Sequence, residues 1–265
     1  MDYQTIQVKQ EDSVATIMLN RPQRRNGINE EMMDELVSAL HQVSQDDSAR
    51  VVVLTGAGRE FCVGADVGRG ATRERLLDET SAETIRRRLR LGQAIPRMLH
   101  DMEKPTIAMV NGVAAGGGMD FALACDIRIG TPRTRFRSFT QIGLLPGMGG
   151  AWFMVQTLGY AKAAEMLFSA RIMDAQEALA TGLLNRVVPE EELERETYAL
   201  AREISRQSPL VLRLGKNLLR QAQQADLAAA LEAVAGFQPI CMTSQDHKEA
   251  RQAFLEKRQP VFQGK

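Results

Sequence analysis

Residues 110–130 read VNGVAAGGGMDFALACDIRIG. An apolar run stops at Asn111-Gly112, three consecutive glycines follow at Gly116, Gly117 and Gly118, and Asp120 stands just inside the next apolar stretch. Glycine carries a high entropic cost, so such a run marks a sharp turn or a close approach of backbone to something else. The pattern predicts a turn ending at Gly118 and a helix beginning at Met119. The first N–H groups of a helix have no intrahelical partner, and the helix dipole favours negative charge in front of them. Fixed donors of this kind suit an oxyanion developing on a carbonyl oxygen. Two other readings fit the same spacing: a phosphate cradle, and an Asp120 that only complements the helix dipole.

A second glycine turn, LTGAGREFCVGADVGRG (54–70), places Gly64-Ala65-Asp66 behind another apolar strand. Two such turns after neighbouring strands could each offer one N–H to the same oxygen. Neither is G-x-x-x-x-G-K-[ST] nor a G-x-G-x-x-G that opens a helix, which weighs against nucleotide binding.

Outward from these turns, VATIMLN (14–20), RVVVLTG (50–56) and KPTIAMVNG (104–112) read as short strands. The stretch NRPQRRNGINEE leads through a turn into a helix capped by Asn29, with Met32, Met33, Leu36 and Leu40 on one face. Strands alternating with helices imply an α/β core with parallel strands and right-handed crossovers. The segment 69–101 is polar and arginine-rich. Its first half reads as a mobile loop, and its second half has helical spacing at Ile85, Leu89 and Ile95. Its arginines read as a solvated helix face in preference to an anion site. After residue 149 helical periodicity dominates, and Val211, Leu214 and Leu218 form a stripe suited to subunit contact.

The 265 residues carry 33 basic and 33 acidic side chains, a formal charge of zero. That balance makes nucleic-acid binding through the arginines of 73–90 a poor primary role. Cys62, Cys125 and Cys241 are far apart and read as free thiols in a reducing cytoplasm. No apolar segment reaches membrane-spanning length, so no membrane partner is expected. His41, His100 and His247 stand without paired ligands, and no metal is expected.

The ordered set NRPQRRNGIN, VVVLTGAGREFCVGAD, KPTIAMVNGVAAGGGMDFALACDIRI, IGLLPGMGGAW, ARIMDAQEALATGLLNRVV and FLEKRQPVF resembles the enoyl-CoA hydratase/isomerase (crotonase) superfamily over nearly the whole chain. The resemblance implies a spiral of ββα repeats over 1–190 and a helical trimerisation region over 191–265, assembled as a homotrimer or homohexamer. It implies an acyl-CoA thioester as substrate, with no cofactor beyond the coenzyme A that the substrate carries. Position by position, Ala65 and Gly117 match the two backbone donors to the thioester oxygen, with Asp66 and Gly116 beside them as substrate-binding positions. Asp120 matches the first acid of the family's hydratases, one methylene shorter than the usual Glu. Gln23, Arg24 and Arg25 match the segment that runs along the pantetheine and phosphates. Phe254 and Lys257 match a C-terminal element that closes over coenzyme A, sometimes from a neighbouring subunit.

One departure bears on the reaction. The family's hydratases carry a second acid in an F-G-x-P-E stretch shortly before I-P-x-x-G-G, whereas this chain reads RFRSFTQIGLLPGMGG, with Phe139, Thr140 and Gln141 there. Certain isomerases place an acid after that proline, where this chain has Gly147. Two carboxylates divide the taking and giving of a proton, whereas one suffices to shuttle it. Hydration of a 2-enoyl-CoA is the expected reaction. Isomerisation, another crotonase-type reaction using one carboxylate, and a non-catalytic CoA-ester binding role are the alternatives. For Asp120 to act as acid and base, burial must raise its pKa above the reference of about 3.9.

Overall fold

The computed structural model describes residues 3–66 and 81–265. The expected mobile loop at the start of the 69–101 segment falls largely outside them. Strands β1 (Ile6–Glu11) and β2 (Val14–Leu19) form an antiparallel hairpin that pairs Ile6 with Leu19 and Glu11 with Val14. From β2 the sheet continues in parallel through β3 (Val51–Gly56), β4 (Thr106–Val110), β6 (Ile127–Gly130) and β9 (Arg186–Val187). A second sheet holds β5 (Val113–Ala115), β7 (Arg135–Arg137) and β8 (Met173–Asp174) in that order. The expected α/β core is present.

The first helix, α1 (Glu30–Gln45), begins where the sequence predicts. The Asn29 side chain accepts from the Met32 N–H at 3.0 Å, and Met32, Met33, Leu36 and Leu40 are buried. Helix α2 (Ala82–Asp101) packs on α1. Of its predicted apolar positions only Ile95 is buried, while Ile85 and Leu89 remain partly open.

Strand β3 shows why its sequence is apolar from Val51 to Leu54. Val52 and Leu54 face the cluster beneath α1 and α2, while Val51 and Val53 face a second cluster beneath α6 (Leu193–Ser205). Covered on both faces, a parallel strand has no polar side to present. Helix α3 (Gly117–Ala124) is also enclosed, with every residue from Gly118 to Ala124 buried. Helix α4 (Gly150–Ser169) follows, bent at Gly159, and then the short α5 (Ala175–Ala180).

Helices α7 (Pro209–Ala222), α8 (Leu227–Thr243) and α9 (Gln245–Glu256) complete the chain. Lys216 of α7 donates to the Asp126 carboxylate at 2.5 Å and to the Lys104 carbonyl at 3.0 Å, just before β6 and β4 begin. Helix α8 has no buried residue although its sequence is mostly apolar. In the predicted stripe, Leu214 and Leu218 are half-buried and Val211 is exposed. Among the described residues, no single helix is long and apolar enough to cross a membrane.

Candidate active site

The two glycine turns lie side by side. Segment 62–65 runs between the chain at Ile28, which bridges Ala65, and the chain at Ala114, which bridges Cys62. The Ile28 N–H donates to the Gly64 carbonyl at 2.8 Å, and the Asp66 N–H donates to the Ile28 carbonyl at 2.9 Å. These bonds straddle Ala65. In extended chain its own N–H therefore points to the opposite edge, where residues 114–117 run.

Gly116 turns the chain there at φ 50°, and α3 opens at Gly117, two residues before the predicted start. The Asp120 N–H closes the first helical bond on the Gly116 carbonyl at 3.0 Å. The Gly117 N–H consequently heads the helix without an intrahelical acceptor. A Cβ at Gly64 would lie 3.4 Å from the Gly117 nitrogen, so the turns are in contact.

Asp120 is only 3% exposed. The N–H of Met148 donates to its Oδ2 at 3.1 Å, and the N–H of Gly150 donates to the same carboxylate. The side chain thus belongs to the first turn of α3 and caps the start of α4. Burial pushes its pKa up to about 7, against the opposing pull of those two N–H groups. A carboxyl poised near neutrality can both accept and return a proton.

A Cβ at Gly116 would fall 2.6 Å from Phe139 Cε2, and one at Gly64 would fall 2.7 Å from the same atom. The Phe139 ring therefore lies flush against both turns.

The enoyl-CoA hydratase/isomerase family model matches residues 9–265. The chain belongs to that family. It is 34% identical over 264 residues to a crotonyl-CoA hydratase of Syntrophomonas wolfei, covering 99% of each chain. It is 36% identical over 263 residues to a 1,2-epoxyphenylacetyl-CoA isomerase of Escherichia coli, covering 96% of this chain and 97% of the relative. The crystal structure of an enoyl-CoA hydratase from Bacillus anthracis superimposes with a TM-score of 0.92 at 32% identity, covering 99% of this chain and all of that one. The fold is the crotonase fold, and the protein is an enzyme of this family. Its Phe139 lies in the stretch where the family's hydratases carry their second acid, and the ring supplies no proton.

The remaining predicted positions fall into two groups. Gln23, Arg24 and Arg25 lie on an exposed turn, with Arg25 in the left-handed region at φ 53°. That turn is tied to the Ala65 segment through Asp66. Arg21 Nη2 donates to Asp66 Oδ2 at 2.9 Å, and Arg24 Nε lies 3.7 Å from the same oxygen. Phe254 and Lys257 stand elsewhere. Phe254 is 83% exposed, Lys257 ends α9 at φ 54°, and α9 packs on α8. Within one chain they are not brought to Asp120.

Met148, Gly150 and Arg21 escaped the sequence reading. A signal for two of them was present. Pro146-Gly147-Met148-Gly149-Gly150 precedes a long helical pattern, and a helix start offers unbonded N–H groups to a buried acid.

Proposed function

We propose that this enzyme hydrates a 2-enoyl-CoA thioester, with Asp120 as its single acid and base. The observation that carries this reading is the buried Asp120 carboxyl, poised at about 7 behind two adjoining turns that present backbone N–H groups. The N–H groups of Ala65 and Gly117 hold the thioester oxygen, and Gly116 and Asp66 shape the two turns beside it. As water adds to C3, the Asp120 carboxylate takes the proton that the water loses, and electrons move through C2 onto the thioester oxygen. The enolate is stabilised by donors that need no reorganisation. Asp120 then returns that proton to C2, and the carboxylate is regenerated. Gln23, Arg24 and Arg25 bind the coenzyme A portion along the exposed turn, and no other cofactor enters the cycle.

Isomerisation is the second reading, and the Phe139 ring favours it. Beside this aromatic wall Asp120 is the proton-transferring group among the described residues, and one such group suffices to take a proton from C2 of a 3-enoyl ester and return it at C4, or the reverse. A product screen with 2-enoyl and 3-enoyl CoA esters decides between the readings. Release of a 3-hydroxyacyl ester from the 2-enoyl substrate supports hydration. Interconversion of the two alkenes with no hydroxy product assigns isomerisation. Saturable binding with neither product leaves a CoA-ester binding protein.

We further propose a homotrimer or homohexamer assembled through α7 to α9. Leu219, Leu227, Leu231 and Phe254 are between 59% and 83% exposed in the single chain, far more apolar surface than one helical region ordinarily leaves to water. Assembly also offers Phe254 and Lys257 a neighbour's coenzyme A. Sedimentation at micromolar concentration tests this, and a lone monomer would remove the proposal.

A further inference from the structure

Two glycines on different helices face one methionine. A Cβ on Gly117 would lie 3.0 Å from Met148 Sδ, and a Cβ on Gly92 of α2 would lie 2.7 Å from Met148 Cε. The thioether therefore occupies the space that both glycines leave open. Ile28 Cδ1, 2.9 Å from the same Gly117 position, and Met33 Sδ, 3.1 Å from the Gly92 position, continue the apolar surface on either side. The loop that carries Met148 is fastened to α2, because Gln93 Nε2 donates to the Gly147 carbonyl at 2.9 Å.

We infer that Met148 is the residue that limits the length of the acyl group, and that the parent enzyme takes short acyl chains. The inference rests on the proposed placement of the thioester oxygen at the Gly117 N–H and of C2 beside Asp120. Asp120 Oδ2 is bonded to the main chain of Met148 itself, so an acyl chain continuing past C3 meets the thioether next. Behind that thioether is Gly92, which has no side chain, so among the described residues Met148 fills the space between the Gly92 and Gly117 positions, with Met33 and Ile28 at its sides. A shorter side chain at 148 opens a cleft floored by the α2 backbone and walled by Ile28 and Met33. A rigid, larger one closes it further. Methionine's unbranched thioether fills such a gap without a fixed shape, which makes it an adjustable stop.

The test measures equilibrium binding of saturated butyryl-, octanoyl- and dodecanoyl-CoA to the parent, to Met148→Ala and to Met148→Phe, with folding checked by circular dichroism. Saturated esters probe the pocket with no chemistry. The same three proteins are then assayed for kcat/KM on 2-enoyl esters of matching length. Hydrophobic pockets discriminate about tenfold or more for a small change in apolar bulk. The octanoyl-to-butyryl affinity ratio is therefore expected to rise about tenfold in Met148→Ala and to fall below the parent's in Met148→Phe. Equal ratios across the folded variants would overturn the role of Met148. Ranked binding without turnover would overturn the proposed reaction and leave this role standing. Failure of the parent to bind any of the esters would overturn both.

Discussion

Asp120 and Gly150 are in such close contact that the first carbon of any side chain at 150 would overlap the Asp120 Oδ1. The start of α4 is thus shaped around a carboxylate from α3, and its N–H groups hold that carboxylate in one orientation. Glycine at 150 serves approach, because its φ is not in the left-handed region. Gly150→Ala should push the Asp120 side chain out of its bonds while leaving the helix start conformationally allowed. We expect turnover to fall by about 10²-fold, the lower end of what a positioned acid or base contributes, with CoA-ester affinity within a few-fold of the parent. Parallel measurement of kcat and of binding checks this. Unchanged kcat in a folded variant would show that the orientation of Asp120 is immaterial.

Asp120→Asn retains the size of the side chain and removes its proton exchange. Turnover should drop by roughly 10²–10⁴-fold while ester binding persists. The stability profile gives an independent readout. The folded-state pKa is about 7, above the ordinary value of 3.8, so the native state holds a proton that the unfolded state releases between these pH values. Stability that Asp120 lends in acid is therefore lost as pH rises from about 4 through about 7. Thermal unfolding from pH 4 to pH 8 should show the parent losing Tm relative to the Asn variant. Parallel profiles would place the carboxyl in water.

Gly117→Val tests the oxyanion donor. The new side chain would meet Ile28 Cδ1 and Met148 Sδ at about 3 Å, displacing the thioether or the acyl group. Loss of one such donor costs about 10²–10³ in kcat. Near-full turnover with a normal fold would remove Gly117 from the site.

Arg24 and Arg21 share Asp66 but differ in exposure, 39% against 14% for their side chains. Arg24→Ala should raise KM in a salt-sensitive manner and leave kcat nearly unchanged, as expected for an exposed contact to phosphate. Asp66→Ala should instead destabilise the protein by about 2 kcal/mol, because it removes the carboxylate partner of the partly buried Arg21, which keeps its bond to the Gly27 carbonyl. Steady-state kinetics at two salt concentrations and denaturant unfolding separate these effects. A fall in kcat alone for Arg24→Ala would contradict the assignment to coenzyme A.

Local pattern alone determined a good part of this protein. The apolar run 51–54, the Asn29 cap and the glycine run before Asp120 each follow from interactions within a few residues, so they are legible without a fold. The ordered motifs also carried the family. One sequence reading fell short where distant segments compete with local preference. Helix α3 begins at Gly117 and not at Met119, since the Gly116 N–H is taken by the Arg137 carbonyl from a neighbouring strand, at 2.9 Å. The helical spacing at Ile85, Leu89 and Ile95 is met by α2, on which Ile95 is buried while Ile85 and Leu89 are exposed.

The tertiary structure alone decided what surrounds Asp120. The Met148 and Gly150 N–H groups, the Phe139 ring against both turns, and the thioether between Gly92 and Gly117 come from segments 23 to 75 positions away from the glycines and acid they meet. Periodicity reports which face of an element is apolar. It carries no information on which distant loop arrives there, or on how far a carboxyl is removed from water. Burial against those loops raises the acid's pKa, and burial exists only once the chain has folded.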